Sequence, residues 1–268
     1  MRFNTPTRKM FVASFVALLA LGWFAVLLGN NVGAVALLAI GLAMILVAIY
    51  FSFRLQDIRR MNDYRQLESF ISLMTVLKPE FPLPSTRQWA ASPDLLKKVT
   101  EVVLRRSPKL VVEASCGTST IVTALALRRL GEGGKVVSLE HDEKYAQLTR
   151  QAIELHGLSE FATVVHAPLK DYDAGGERFK WYDISRLKLD APIEVLVVDG
   201  PPTWVQKKAR YPAVPLLINK FAKDVTVIVD DGDRRDERQM VTDWTRIYGM
   251  NAEYLHLEKG GYILGGKI

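Results

Sequence analysis

Two short apolar runs, each ending in an acid and separated by a tight turn and a helical pattern, constrain this chain most. The first run, KLVVE (109–113), leads into the small residues ASCGTST (114–120) and then into IVTALAL (121–127). The second, VVSLE (136–140), ends at Glu140. This is the layout of a strand, turn, helix and strand that hold a nucleotide-like ligand. Small residues let the ligand approach the backbone, and the second carboxylate accepts hydrogen bonds from ribose hydroxyls. The turn does not read G-x-G-x-x-G, so it lacks the seat that a pyrophosphate takes in dinucleotide binders.

The rest of the C-terminal two thirds repeats the alternation. SPD (92–94) is a helix start, with serine suited to the cap, proline to the first turn and aspartate to the positive helix end. That helix is expected to reach about Arg106. Strands are then expected at 109–114, 135–140, 162–166, 193–199 and 225–230. Helices are expected at 118–130, 142–157, 211–222 and 234–248, with a long aromatic loop over 168–192. The end reads as an antiparallel hairpin, 251–257 and 261–267, turning at Lys259 and Gly260. Such alternation predicts an α/β fold, a mostly parallel sheet with helices on both faces. Ligands of such sheets bind beyond the carboxyl ends of the strands. Here those ends carry Glu113, Glu140, His166 with Ala167, Asp199, and the pair Asp230 and Asp231.

The run from Glu113 to Thr120 resembles motif I of class I S-adenosylmethionine (SAM)-dependent methyltransferases, E-x-G-x-G. ASPD (91–94), SLEHD (138–142), VDGPP (198–202), ARYPA (209–213) and VDDGDR (229–234) extend the likeness to a bacterial group distantly similar to catechol-type O-methyltransferases. It covers roughly 85–268. Ser115 departs from the pattern, standing where the first glycine is expected. The resemblance implies a Rossmann-like methyltransferase sheet closed by the C-terminal hairpin. SAM has no pyrophosphate, and its sulfonium favours nearby acids. The implied cofactor-binding residues are Glu113, Ser115, Gly117, Ser119, Glu140, His141, His166, Ala167 and Asp199, with Glu140 on the ribose. It further implies Mg²⁺ held by Asp199, Asp230 and Asp231, which would acidify an acceptor hydroxyl. In the alternative these acids shape the pocket and cap a helix without a metal. No lysine follows Asp199 directly, so Lys207, Lys208 and Arg210 are the candidates for base or substrate clamp. Asp199, Lys207 and Arg210 are the expected catalytic set.

The first third differs in kind. Residues 10–28 and 32–53 are apolar apart from Ser14 and Ser52, each long enough to cross a membrane as a helix, and Gly29, Asn30 and Asn31 join them. Arg2, Arg8 and Lys9 flank the pair on one side and Arg54, Arg59 and Arg60 on the other. The positive-inside rule then puts both termini in the cytoplasm, in the inner membrane. The expected organisation is a transmembrane hairpin over 1–53, an amphipathic stalk and Pro-rich linker over 54–84, and a methyltransferase domain over 85–268.

Charge and cysteine content narrow the function. Of the net charge of +6, +5 lies in residues 1–66, so the folded domain is close to neutral and nucleic acid is an unsuitable partner. The single cysteine, Cys116, excludes a disulfide framework or a cysteine-held metal. The leading expectation is a membrane-anchored enzyme that methylates a hydroxyl on a small-molecule, saccharide or lipid-linked acceptor at the bilayer surface. N-methylation of a lipid amine headgroup and a non-catalytic membrane adaptor are the alternatives. Neither the acceptor's identity nor the oligomeric state is written in the sequence.

Overall fold

A computed structural model of the chain describes residues 16, 20–24, 26–29 and 31–266. It divides into two compact units, 1–63 and 64–268. In the first, residues 20–24, 26 and 27 are helical, and Leu28 and Gly29 form a turn. Gly29 takes φ 71°, the left-handed conformation in which glycine commonly ends a helix. Most of the expected first span, 10–28, and its basic flank lie outside the described residues.

Helix α1 spans Asn31–Leu77. Among the described residues it is the one helix long and apolar enough to cross a membrane, judged by length and composition. Leu38, Leu42, Leu46, Phe51 and Phe53 on it are all more than half exposed. The span expected to end at 53 and the stalk helix expected from 54 form one continuous helix. The basic stretch that follows Phe53 contains no glycine or proline, so nothing stops the helix before Pro79. Residues preceding a proline disfavour the helical region, and Lys78 turns out at φ 45°.

The second unit begins within the last turns of α1. Gln66, Ser69, Leu73 and Leu77 are buried there. Gln66 Nε2 donates to Asp94 Oδ2 at 2.7 Å, and its Oε1 accepts the Asp94 N–H. Asp94 opens helix α2, Pro93–Arg106. The cap differs in detail from expectation. Ser92 makes no side-chain cap but donates to Asp94 Oδ1 at 2.6 Å, and that same oxygen accepts the Leu95 N–H.

Then follow β1 (Leu110–Ala114), α3 (Thr118–Leu130), β2 (Lys135–Glu140), α4 (Glu143–Leu155) and β3 (Ala162–His166). Next come the hairpin β4 (Leu169–Ala174) and β5 (Glu177–Tyr182), then β6 (Ile193–Val198), α5 (Ala213–Leu217) and β7 (Phe221–Asp230). Helix α6 (Arg235–Tyr248) and strands β8 (Asn251–Leu255) and β9 (Gly261–Gly265) complete the unit. Seven strands form one sheet in the order β3-β2-β1-β6-β7-β9-β8. The first five are parallel, and β9 runs antiparallel to both of its neighbours. Chain direction across the sheet reverses between β1 and β6, which is where open α/β sheets bind their ligands.

Strand alternation divides the core. Val111, Val136, Val195 and Ile228 face α2, α3 and α4. Val112, Leu139, Leu196 and Val227 face α5, α6 and the β4–β5 hairpin, where Trp181 and Trp244 are fully buried. Two expectations need correction here. The segment 168–192 is not one loop, because β4 and β5 pair across Gly175 and Gly176. Both glycines have positive φ, 59° and 81°, as a two-residue type I′ turn requires. Phe179 and Trp181 point inward while Arg178 and Lys180 point out. The helix expected over 211–222 is also shorter. It ends at Leu217, a 3₁₀ turn covers Ile218–Lys220, and β7 begins at Phe221, paired with Ile193.

Candidate functional site

Strands β1, β2, β6 and β7 end on one rim, at Ala114, Glu140, Val198 and Asp230. The turn after β1 is fixed by backbone bonds: Ser115 N–H donates to Leu139 O, and Asp199 N–H to Ala114 O. Ser115 is held at φ 122°, a region that costs a non-glycine residue about 1–3 kcal/mol. Two residues on, Gly117 takes φ 132° as the N-cap of α3. A Cβ there would meet nothing within 4 Å, so conformation rather than space calls for glycine.

Glu113 is buried at the end of β1 and is not among the residues lining the opening. Its Oε2 accepts from Thr120 Oγ1 at 2.7 Å and Ser138 Oγ at 2.9 Å. Burial pushes its carboxyl above the usual range, while the hydroxyls of Ser119, Thr120 and Ser138 pull the other way. Glu113 therefore ties the start of α3 to β2.

Glu140 faces the opening from the end of β2. Its Oε1 accepts the Asp142 N–H at 2.9 Å and lies 2.8 Å from His141 Nδ1. Cys116 Sγ is 3.5 Å from its Oε2. Burial and that neighbouring carboxylate push the Cys116 thiol far up, so it stays protonated and is no nucleophile. His166 and Ala167 are not brought to the opening. His166 Nδ1 is 2.8 Å from Glu143 Oε2, and the fully buried Ala167 donates its N–H to Glu140 O.

Past β6 and β7, one ligating oxygen from each of Asp199, Asp230 and Asp231 lies within 4.8 Å of the others. Arg210 reaches them from the loop before α5. Its Nη2 donates to Asp199 Oδ1 at 3.2 Å and to Asp231 Oδ2 at 2.7 Å, and its Nη1 donates to the Asp230 carbonyl. Arg234 Nη1 is 2.9 Å from the same Asp231 oxygen, and Lys259 Nζ is 3.8 Å from Asp230 Oδ2. One carboxylate oxygen of Asp199 and one of Asp231 are thus already paired with basic side chains. Burial pushes the Asp199 carboxyl up to about 6, with Arg210 opposing it and Asp231 adding to it. Burial, Asp199 and Asp231 push Asp230 well above its usual range, and neither of its carboxylate oxygens has a hydrogen bond.

The rim encloses a cavity of about 830 Å³, within the range of small-molecule sites. Ser115, Gly117, Ser119, Glu140, His141, Asp199, Arg210 and Asp231 line it, whereas Glu113, His166, Ala167, Lys207 and Asp230 do not. Of the basic trio, Lys208 pairs with Glu177 and only Arg210 enters the site. The cavity also has walls with no simple sequence signal: Ser85, Gln88 and Trp89 ahead of α2, Tyr182 from β5, and Lys259 from the β8–β9 turn. Exposed Trp204 stands on the rim, its ring centroid 6.2 Å from that of His141. A half-open cleft between a small-residue turn, a strand-end acid and a second acid suits SAM, which presents a ribose and a cationic sulfur.

Residues 113–232 match a family model described as a methyltransferase domain. No curated protein matches the chain. The SAH-bound methyltransferase PaMTH1 of Podospora anserina superposes with TM-score 0.57 at 12% identity, over 80% of this chain and 96% of that one. The O-methyltransferase of Bacillus cereus in complex with SAH gives 0.50 at 18% identity, over 75% and 91%. TomG of Streptomyces achromogenes, an O-methyltransferase of tomaymycin synthesis solved with SAM, gives 0.50 at 15% identity, over 78% and 96%. At these identities the structures show a shared fold. With the family match they support a class I SAM-dependent methyltransferase.

Proposed function

We propose that the chain is a membrane-anchored methyltransferase that moves the SAM methyl group to a hydroxyl oxygen. Its acceptor is a small molecule, saccharide or lipid-linked compound at the cytoplasmic face of the inner membrane. The observation that carries this reading is one cavity shared by Glu140, the Ser115–Ser119 turn and Asp199. The O-methyltransferase neighbours favour oxygen as the acceptor atom. The exposed apolar surface of α1 between Leu38 and Phe53 favours the anchor. In this reading the organisation is a hairpin over 1–53, a stalk and linker over 54–84, and the catalytic domain over 85–268.

SAM, when bound, supplies the electrophilic methyl group. Glu140 would accept hydrogen bonds from the ribose hydroxyls, and the Ser115–Ser119 turn would let the cofactor approach the backbone. Asp199 would accept the proton that the acceptor hydroxyl gives up. Arg210 holds Asp199 at the cavity wall through Nη2. Most of the acceleration in such a displacement comes from holding the two reactants in line. In this reading Trp89 and Trp204, exposed at the cavity's edge, contact the acceptor. Lys207 is not among the residues lining the cavity.

Calorimetric titration of the purified full-length protein with SAM, SAH and NAD tests the reading. SAM and SAH should bind and NAD should not. Absence of SAM binding, or NAD binding more tightly, would refute it.

A further inference from the structure

The family resemblance implies a divalent cation among Asp199, Asp230 and Asp231, but the side chains present do not fit one. Arg210, with a side chain only 4% exposed, reaches into the cluster. One nitrogen, Nη2, bridges Asp199 Oδ1 and Asp231 Oδ2, the two carboxylates that line the cavity. A second nitrogen, Nη1, bonds the Asp230 carbonyl and lies 3.9 Å from Glu237 Oε1. Arg234 adds a further bond to Asp231, and Lys259 stands 3.8 Å from Asp230.

Magnesium needs near-octahedral oxygen ligands at about 2.0–2.1 Å, with their lone pairs free to point at it. Here one oxygen of Asp199 and one of Asp231 already accept from a single guanidinium nitrogen, which stands between them where a cation would sit. A guanidinium is always charged in proteins and cannot step aside by losing a proton. A dication in the same cage would be packed against that fixed charge with little water to screen them. The cluster is neutralised from within, by Arg210, Arg234 and Lys259 against its carboxylates.

We infer that Arg210 takes the place of the divalent cation: a built-in guanidinium organises Asp199 and Asp231, and the cluster binds no metal. Arg210 is then a positioning residue, acting through Asp199. Given the methyltransferase reading, an acceptor need not chelate a metal through two adjacent oxygens. A single hydroxyl facing Asp199 is sufficient.

The test is Mn²⁺ titration of the purified full-length protein, read by calorimetry and by the electron paramagnetic resonance signal of free Mn²⁺. Wild type should show no saturable site that depends on Asp199. Arg210→Ala should bind Mn²⁺ at least tenfold more tightly than wild type, and adding Asp199→Asn should erase the gain. Wild-type Mn²⁺ binding that disappears in Asp199→Asn would overturn the inference, as would a folded Arg210→Ala protein that gains nothing. If Arg210→Ala does not fold, wild type against Asp199→Asn decides alone: binding lost in the variant overturns the inference, and no Asp199-dependent binding supports it. SAM titration of the same samples keeps the two readings apart. SAM binding together with Asp199-dependent Mn²⁺ binding sinks only this inference, whereas absence of both ligands sinks only the methyltransferase reading.

Discussion

Arg87 closes on Glu258 across 171 residues of sequence, with Nε 3.0 Å and Nη2 2.5 Å from Oε1. The neighbouring Lys259 donates to the carbonyls of Gln88 and Ala90. Together they tie the segment ahead of α2 to the β8–β9 turn. Gln88, Trp89 and Lys259 all line the cavity, so the clamp holds one of its walls. Arg87 is 40% exposed, which limits the coupling in a double-mutant cycle to about 0.5–1 kcal/mol. SAM affinity should nevertheless fall severalfold in Arg87→Ala and in Glu258→Ala, because each frees the wall. Equal calorimetric affinities in wild type and both variants would show that the wall does not contact the ligand.

Glu140 and Glu113 are both buried strand acids, yet they predict opposite phenotypes. Glu140 faces the cavity, and each hydrogen bond to its charge is worth about 1.5–3 kcal/mol. Glu140→Ala should therefore weaken SAM binding roughly tenfold to a hundredfold. Glu113→Gln should instead lower stability, since Thr120 and Ser138 both donate to the carboxylate it removes. Thermal unfolding beside SAM titration separates the two. Unchanged SAM affinity in Glu140→Ala would remove Glu140 from the site.

What was legible in the sequence followed from local rules. Helix α3 begins and ends where the small-residue turn and Gly131 place it, and β2 ends at the acid that closes its apolar run. The β4–β5 hairpin was hidden because its outward positions, Asp171, Asp173, Arg178 and Lys180, give it a loop-like composition. Its signal was the Gly175–Gly176 pair between alternating runs. The cavity walls were not legible. Ser85, Trp89 and Lys259 meet the β1 turn only through tertiary closure, and no local pattern encodes a contact across most of the domain. The same holds for Arg210. Sequence spacing offered it beside Lys207 and Lys208, and only packing shows which basic side chain turns inward.

Gly200 and Tyr182 form a second testable pair. A Cβ on Gly200 would collide with the Tyr182 hydroxyl and come within 3.2 Å of Ala114 O. Tyr182 is fully buried and cannot swing into solvent. Overpacking of this kind costs about 1–3 kcal/mol. Gly200→Ala should lower stability by that amount and narrow the cavity between Asp199 and the β1 turn. Tyr182→Phe combined with Gly200→Ala should recover most of the loss. Additive effects in the double variant would show that the hydroxyl is not the obstacle.

The proposed anchor carries its own prediction. Arg54, Arg59 and Arg60 follow the apolar part of α1 and favour the cytoplasmic side. Reporters fused at either terminus should report the cytoplasm, where SAM is made. An external C-terminus would overturn the topology and separate the catalytic domain from its methyl donor.

Asp199 links pH to both activity and stability. Burial raises its carboxyl from 3.8 to about 6, against the pull of Arg210. In its proposed role as proton acceptor it must be ionised, so kcat/KM should fall about tenfold per pH unit below that value. Asp199→Asn should remove the activity altogether. Stability runs the other way. The folded-state pKa lies above the unfolded one, so the fold prefers the protonated carboxyl. The stability conferred by that proton is complete below about pH 4 and is lost as pH rises through about 6. Asp199→Asn, which cannot ionise, is the reference. Urea unfolding of both proteins between pH 4.5 and 7.5 should show wild type losing on the order of 1–3 kcal/mol relative to the variant. A constant difference across that range would mean that the carboxyl titrates alike in the folded and unfolded chains. The acid limb of the activity profile would then belong to another group.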